Sequence, residues 1–253
     1  MAGIQRALLV IADIGGYTRF MKVHRINLSH AQYVVSRLLE AVIDGAGKKL
    51  QLTKLEGDAA FFYAKLKGDV DGDDLVARLG SIRRAFLERQ QEISADRACN
   101  CDGCVQVGDL KLKFVAHVGD VAFQKVKSYV ELAGMDVILL HRMLKNHVPH
   151  AEYVLVTDVV HDRLSANVRA RANAQEEDFE GVGEVQTHWL VLDDIAPCTL
   201  EPRPTSWLRR IWAWLRMTIR SMPYFVGARE PCEGFRNLDE ARGTVAPRLS
   251  ASI

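Results

Sequence analysis

Two carboxylates draw attention because each closes an apolar segment. Asp13 follows the run Ala7-Leu8-Leu9-Val10-Ile11-Ala12, and Asp58 ends the turn Glu56-Gly57-Asp58 between two extended runs. If those runs fold back beside the first strand, both acids reach one edge of a sheet. Two hard oxygen donors there can hold Mg²⁺ or Mn²⁺ and leave coordination positions open for a triphosphate. Taken singly, each acid also suits an ordinary turn, because Asp beside Gly is common turn chemistry.

A second constellation is Cys99, Cys101 and Cys104, three thiols within six residues. Thiolates so close can wrap one Zn²⁺, with a fourth ligand from elsewhere in the chain or from a partner. The alternative is a reduced loop without a metal. Five cysteines in all, three of them crowded together, do not make a secreted disulfide framework and suit a reducing, cytoplasmic setting. A third feature lies at 205–222. A helical projection of this stretch gathers Trp207, Leu208, Ile211, Trp212, Trp214, Leu215 and Ile219 on one face, with Arg209, Arg216 and Arg220 opposite and Arg210 at the side. No acid occurs from Thr205 to Arg229. Such a helix suits peripheral contact with an anionic inner-membrane surface, or docking on the rest of the protein or a dimer mate.

The elements that must position these residues follow from periodicity. Residues 7–14 read as a buried strand, and a helix carrying Tyr33, Val34, Leu38, Leu39, Val42 and Ile43 ends at Gly45 and Gly47. Lys48–Leu55 and Ala59–Leu66 form a hairpin, and 73–97 a long amphipathic helix. Leu110, Leu112, Phe114 and Ala116 alternate with Lys111, Lys113, Val115 and His117, which predicts a strand with one wet face. Gly119-Asp120 then predicts a turn back into 121–126. A helix at 134–146, a strand at Tyr153–Thr157, an exposed polar loop at 172–180 and a strand near 187–192 complete the order. The fold class is α+β: an antiparallel-rich sheet with helices on one face, built on a ferredoxin-like split βαβ core. The expected division is a domain over 1–198, with the cysteine loop at 98–108, and an extension over 199–253.

Composition narrows the function classes. With 253 residues, 48% hydrophobic and 26% charged, the chain has the balance of a globular protein. A formal net charge of +1 gives no overall attraction to nucleic acid. Gly47-Lys48-Lys49 lacks the rest of a phosphate-binding P-loop, and Gly181-Val182-Gly183 lacks the third glycine and the preceding strand of a dinucleotide fold.

The stretches Ala12–Phe20, Lys54–Asp58, Ala116–Gly119 and Glu131–Met143 carry Asp13, Asp58, His117 and Arg142 in that order, and through them the chain resembles, from about residue 7 to 160, the class III adenylyl and guanylyl cyclase catalytic domains. Ala12-Asp13-Ile14-Gly15-Gly16-Tyr17-Thr18-Arg19-Phe20 is similar to that family's first metal motif, and Lys54-Leu55-Glu56-Gly57-Asp58 to its second. Ala116-His117-Val118-Gly119 resembles its strand ending in His-x-Gly, and Glu131–Met143 the stretch carrying its remaining catalytic residues. The resemblance implies that Asp13 and Asp58 bind two Mg²⁺ or Mn²⁺ ions, with the backbone carbonyl of Ile14. It implies that Lys54 and Glu131 face the purine of a nucleoside triphosphate, ATP foremost, and that Arg142 holds phosphate charge in the transition state. It also implies a head-to-tail homodimer with sites at the interface.

The chain departs from the family at two places. Glu131 stands where the family prefers Asp, Thr or Cys, so base identity stays open. Ile138 stands four residues before Arg142, where the family has an Asn that supports the transition state. An aliphatic group cannot donate that hydrogen bond, and loss of one such donor costs on the order of a hundredfold in rate. Two readings follow: a nucleotidyl cyclase, or a catalytically silent cyclase-fold module that binds nucleotide or a partner.

Overall fold

The computed structural model describes residues 3–23, 28–95, 106–127, 129–201 and 207–228. Strand β1 (Ile4–Gly15) lies inside the sheet, with β3 (Ala59–Lys65) antiparallel on one side and β4 (Lys111–Val126) antiparallel on the other. Its even residues Leu8, Val10, Ala12 and Ile14 enter one core; its odd residues Ala7, Leu9 and Ile11 enter a second. Burial on both faces explains why the run is continuously apolar rather than alternating.

The first core is closed by α2 (Leu28–Ala46) and α3 (Gly72–Ala95), through Val34, Leu38, Val42, Leu75, Leu79, Ile82 and Phe86. The second is covered by the shorter α4 (Met135–Met143), which contributes Val137, Leu140 and Met143. A short α1 (Tyr17–Val23) follows β1 directly. The strand order is β2-β3-β1-β4-β6-β8-β7, where β2 is Gln51–Glu56, β6 Tyr153–Thr157, β7 Asn173–Phe179 and β8 Gly183–Val191. β5 (Tyr129–Ala133) pairs with β4, and β4–β6 is the parallel pair among otherwise antiparallel neighbours. The architecture is thus the expected α+β, antiparallel-rich sheet, with the two long helices on one face and the shorter α4 on the other.

Three expectations for the sheet are corrected. There is no turn at Gly119-Asp120: β4 runs through it, with Gly119 opposite Ala7 and Asp120 opposite Arg6 of β1. Gly119 is there for space, because a Cβ at this position would lie 2.1 Å from Cγ of Asp136. The Asp136 carboxylate fills that space, accepting from the Asp120 N–H at 2.7 Å and meeting His117 Nε2 at 2.9 Å. Nor is the second face of β4 uniformly wet, since α4 covers it and buries Val115 and His117. His117 Nδ1 shares a 2.8 Å hydrogen bond with the buried Thr157 hydroxyl of β6, so the ring is held at both nitrogens. Finally, 172–180 is not a loop but contains β7, at the end of the sheet and paired to β8 along its length. Its charged run Glu176-Glu177-Asp178 is the composition that protects an edge strand from pairing with a further chain.

The entry to β4 is also fixed. The buried Gln90 amide of α3 donates to the carbonyls of Val107 and Leu110 at 2.7 and 2.8 Å. These bonds set where β4 starts, and hence which of its side chains stands level with the end of β1.

Candidate functional site

The strand registers bring the acids together. Asp13 of β1 lies opposite Ala59 of β3, the residue after Asp58, and the Ile14 N–H donates to the Asp58 carbonyl at 3.2 Å. The β2–β3 turn is therefore tied to the end of β1, with Asp58 beside Asp13. On the other side, Asp13 stands opposite Lys113 of β4, whose Nζ is 2.9 Å from Asp13 Oδ2.

Electrostatics follow from this placement. Partial burial and then the negative charge of Asp13 push the Asp58 carboxyl up to about 6, against its own backbone hydrogen bond and Lys113, which favour the charged form. Burial pulls the Lys113 ammonium down, but the charge and hydrogen bond of Asp13 outweigh it and hold the group above the usual lysine range. Tyr153, largely buried nearby, donates its hydroxyl to Asn146 Oδ1 at 3.0 Å, and burial raises its pKa. One ammonium is thus set against two carboxylates, and the second carboxylate stays costly to ionise. A hard divalent cation relieves that cost, so the donor set fits Mg²⁺ or Mn²⁺. Among the described residues no three His, Cys, Asp or Glu side chains converge as a metal site. An ion on Asp13 and Asp58 would draw its other oxygens from backbone, water and substrate phosphate, as Mg²⁺ commonly does.

A second cluster lies between β2 and α4. Lys54 pairs with Glu56 at 2.7 Å, and Glu56 meets His141 Nδ1 at 3.3 Å. His141 stands edge-on to Phe61, and burial lowers its pKa, opposed by Glu56 and aided by Lys54. Arg142, next on α4, pairs at 2.8 Å with Glu180, whose side chain is 82% exposed. Exposed pairs of this kind contribute little, so the guanidinium is free to exchange Glu180 for a stronger anion. Ile138 lies one helical turn from Arg142, on the same side of α4, and is 46% exposed. Glu131 is exposed on β5, opposite Gln124.

The structure therefore joins Asp13 with Asp58, and Lys54 with the helix that carries Arg142. Cys99, Cys101 and Cys104 lie outside the described residues. Sequence reasoning missed Lys113, Glu56 and His141. Lys113 sits in the period-two pattern of β4, but its level with Asp13 depends on a register between strands a hundred residues apart. Glu56 and His141 carry no signal until α4 is placed over β2.

Comparison with known proteins agrees with this fold. A family model described as a protein of unknown function, DUF2652, matches residues 35–153. Among solved structures, the adenylyl cyclase CyaB from P. aeruginosa superposes with a TM-score of 0.57 at 13% identity, covering 81% of this chain and all of that one. The guanylate cyclase domain of RhGC from Catenaria anguillulae, in complex with GTP, gives 0.52 at 14% identity, over 75% of this chain and 98% of that one. A class III adenylyl cyclase-like ATP-binding protein from Pseudomonas aeruginosa gives 0.54 at 16%, over 66% of this chain and 36% of that one. At these identities the likeness is one of fold. In sequence, the uncharacterized protein Rv2561/Rv2562 of Mycobacterium tuberculosis is 45% identical over 206 residues, which is 81% of this chain and 94% of the relative. The chain belongs to the family of that mycobacterial protein and carries the fold of class III nucleotidyl cyclase domains.

Proposed function

We infer that the protein binds a nucleoside triphosphate with divalent metal at Asp13 and Asp58 and converts it to a cyclic nucleotide and pyrophosphate. The observation that carries this reading is the meeting of the two carboxylates at the end of β1, with the Asp58 carboxyl pushed up to about 6. When bound there, Mg²⁺ or Mn²⁺ supplies the charge that favours ionisation of the ribose 3′-hydroxyl and neutralises the phosphates. The 3′-oxygen gives its proton to water and attacks the α-phosphorus, and the bond from that phosphorus to the bridging oxygen breaks, releasing pyrophosphate with the bonding electron pair.

The chain's own groups have distinct tasks. Asp13 and Asp58 would be the anionic metal ligands, with the Ile14 backbone carbonyl as a further oxygen donor. Lys113, held by Asp13 at 2.9 Å, is a cation that would be available to phosphate oxygens were Asp13 to ligate a divalent ion. Arg142, held by an exposed Glu180, supplies charge to the displaced phosphates. Lys54 and Glu131 face the base, and release of Lys54 from Glu56 frees it to bond a purine. In the dimer that the cyclase resemblance implies, Asp13 and Asp58 of one protomer act with Lys54, Glu131 and Arg142 of its partner.

A second reading is favoured by Ile138, which presents an aliphatic surface beside Arg142. On that reading the same site binds nucleotide without turning it over. Incubation with ATP, GTP, CTP or UTP and Mn²⁺, with mass spectrometry of the products, separates the two. Cyclase activity predicts a cyclic product that is lost in Asp58→Ala and in Arg142→Ala. Equal mixing of the two inactive variants restores about a quarter of the activity, since about half the dimers are mixed and each mixed dimer keeps one intact site. No product from a folded dimer excludes the cyclase and leaves the binding module.

A further inference from the structure

Beyond the body of the fold, α8 (Trp207–Phe225) presents large apolar side chains that nothing covers among the described residues. (Three one-turn helices precede it: α5 at Asp158–His161, α6 at Ala166–Arg169 and α7 at Leu192–Ile195.) Trp207 is 69% exposed, Trp212 64% and Trp214 57%, and Leu208, Ile211, Ile219 and Met222 are each more than half exposed. Among the described residues, more of the large exposed apolar side chains lie on this one helix than on all other elements together, so this is a concentrated patch.

What covers such a face is indicated by charge. At 100° per residue the apolar positions span an arc from Trp214 through Trp207 and Ile211 to Trp212, and the sequence places Arg209, Arg216 and Arg220 past one border of it and Arg210 past the other. No Asp or Glu occurs from 202 to 229. An aromatic-rich face bordered by arginines and free of acids is the pattern of a helix that lies in the headgroup region of an anionic bilayer. The helix is not a span: among the described residues none is long and apolar enough to cross a membrane. Tryptophan also favours this interface, where its ring is buried and its N–H stays wet.

The body constrains where the helix can go. The Glu201 carbonyl accepts from Gln91 Nε2 of α3 at 2.9 Å, so the chain is held to the body up to that point. Six residue steps separate Glu201 from Trp207, a reach of at most roughly 20 Å. We propose that α8 is a peripheral anchor that lies on anionic phospholipid and holds the cyclase-fold body at that surface. A second copy of the chain would supply apolar area but would set arginine against arginine at the borders.

The test is sedimentation of the full chain with vesicles of phosphatidylcholine alone and of phosphatidylcholine mixed with phosphatidylglycerol. Anchoring predicts binding to the mixed vesicles only, weakened by salt, with Trp fluorescence shifted to the blue. Arg216→Gln with Arg220→Gln lowers the affinity roughly thirtyfold, each charge contributing about fivefold. Trp212→Ser with Trp214→Ser abolishes binding while the circular dichroism of the body is retained. The proposal is overturned by equal binding to neutral vesicles, by binding that survives the Trp substitutions, or by no vesicle binding alongside a dimer that those substitutions dissolve. The last result would mean that a second copy covers the face.

Discussion

Asp58 is the residue at which the electrostatics of the site can be read from outside. Its carboxyl is raised from 3.8 to about 6, first by burial and then by Asp13. The folded chain therefore holds this proton more tightly than the unfolded chain does. The sign follows: the contribution of this carboxyl to stability is highest below about pH 4, falls as pH rises through the window from about 4 to about 6, and stays lowered above it. Without divalent metal, Asp58→Asn is expected to raise Tm by a few degrees near neutral pH and by nothing below about pH 4, as checked by thermal melts across that range. A gain equal at both ends would show that the charge is not the cause. Asp13 and Asp58 were legible in the sequence because each interrupts an apolar run at a Gly-bearing turn. Lys113 was not, because an alternating strand shows which of its residues share a face but not which stands beside a given neighbour.

Element boundaries were legible wherever one period held. The α2 and α3 stripes, the β2–β3 hairpin and β6 lie where the apolar spacing puts them. The errors at β4 and β7 have physical causes. Gly119-Asp120 has the composition of a turn, yet its glycine makes room for the Asp136 carboxylate. The acidic composition of β7 is that of a loop, yet it pairs at the end of the sheet. Gly45 shows the same ambiguity. It was expected to end α2, but it lies inside the helix, where an added Cβ would come 2.7 Å from Cα of Ile82 on α3. Alanine is worth up to about 1 kcal/mol over glycine in an exposed helix interior. Here the forced separation of α2 from α3 is expected to reverse the sign. Gly45→Ala should lose about 1–3 kcal/mol in urea titrations. A stabilised variant would mean that the helices are not in close contact at this point.

Across the whole molecule, two charged clusters and one exposed helix divide the work. The acid pair stands at the end of β1 and the Lys54–Glu56–His141 cluster between β2 and α4. The cyclase-like motifs in the sequence pointed to Asp13, Asp58 and Lys54 but not to the Lys113, Glu56 and His141 side chains that surround them. The base preferred and the weight of Ile138 were not legible, since both depend on how the bound nucleotide lies against Glu131 and α4. The active and the silent reading share one claim, that Asp13 and Asp58 hold a divalent ion together with a nucleoside triphosphate. The most direct test is electron paramagnetic resonance of Mn²⁺ titrated into the protein with and without a non-cyclisable ATP or GTP analogue. The account predicts Mn²⁺ binding that the analogue strengthens and that Asp13→Asn or Asp58→Asn weakens at least about tenfold, the loss of one anionic ligand. Mn²⁺ binding indifferent to both substitutions, or absent with every analogue, would contradict it.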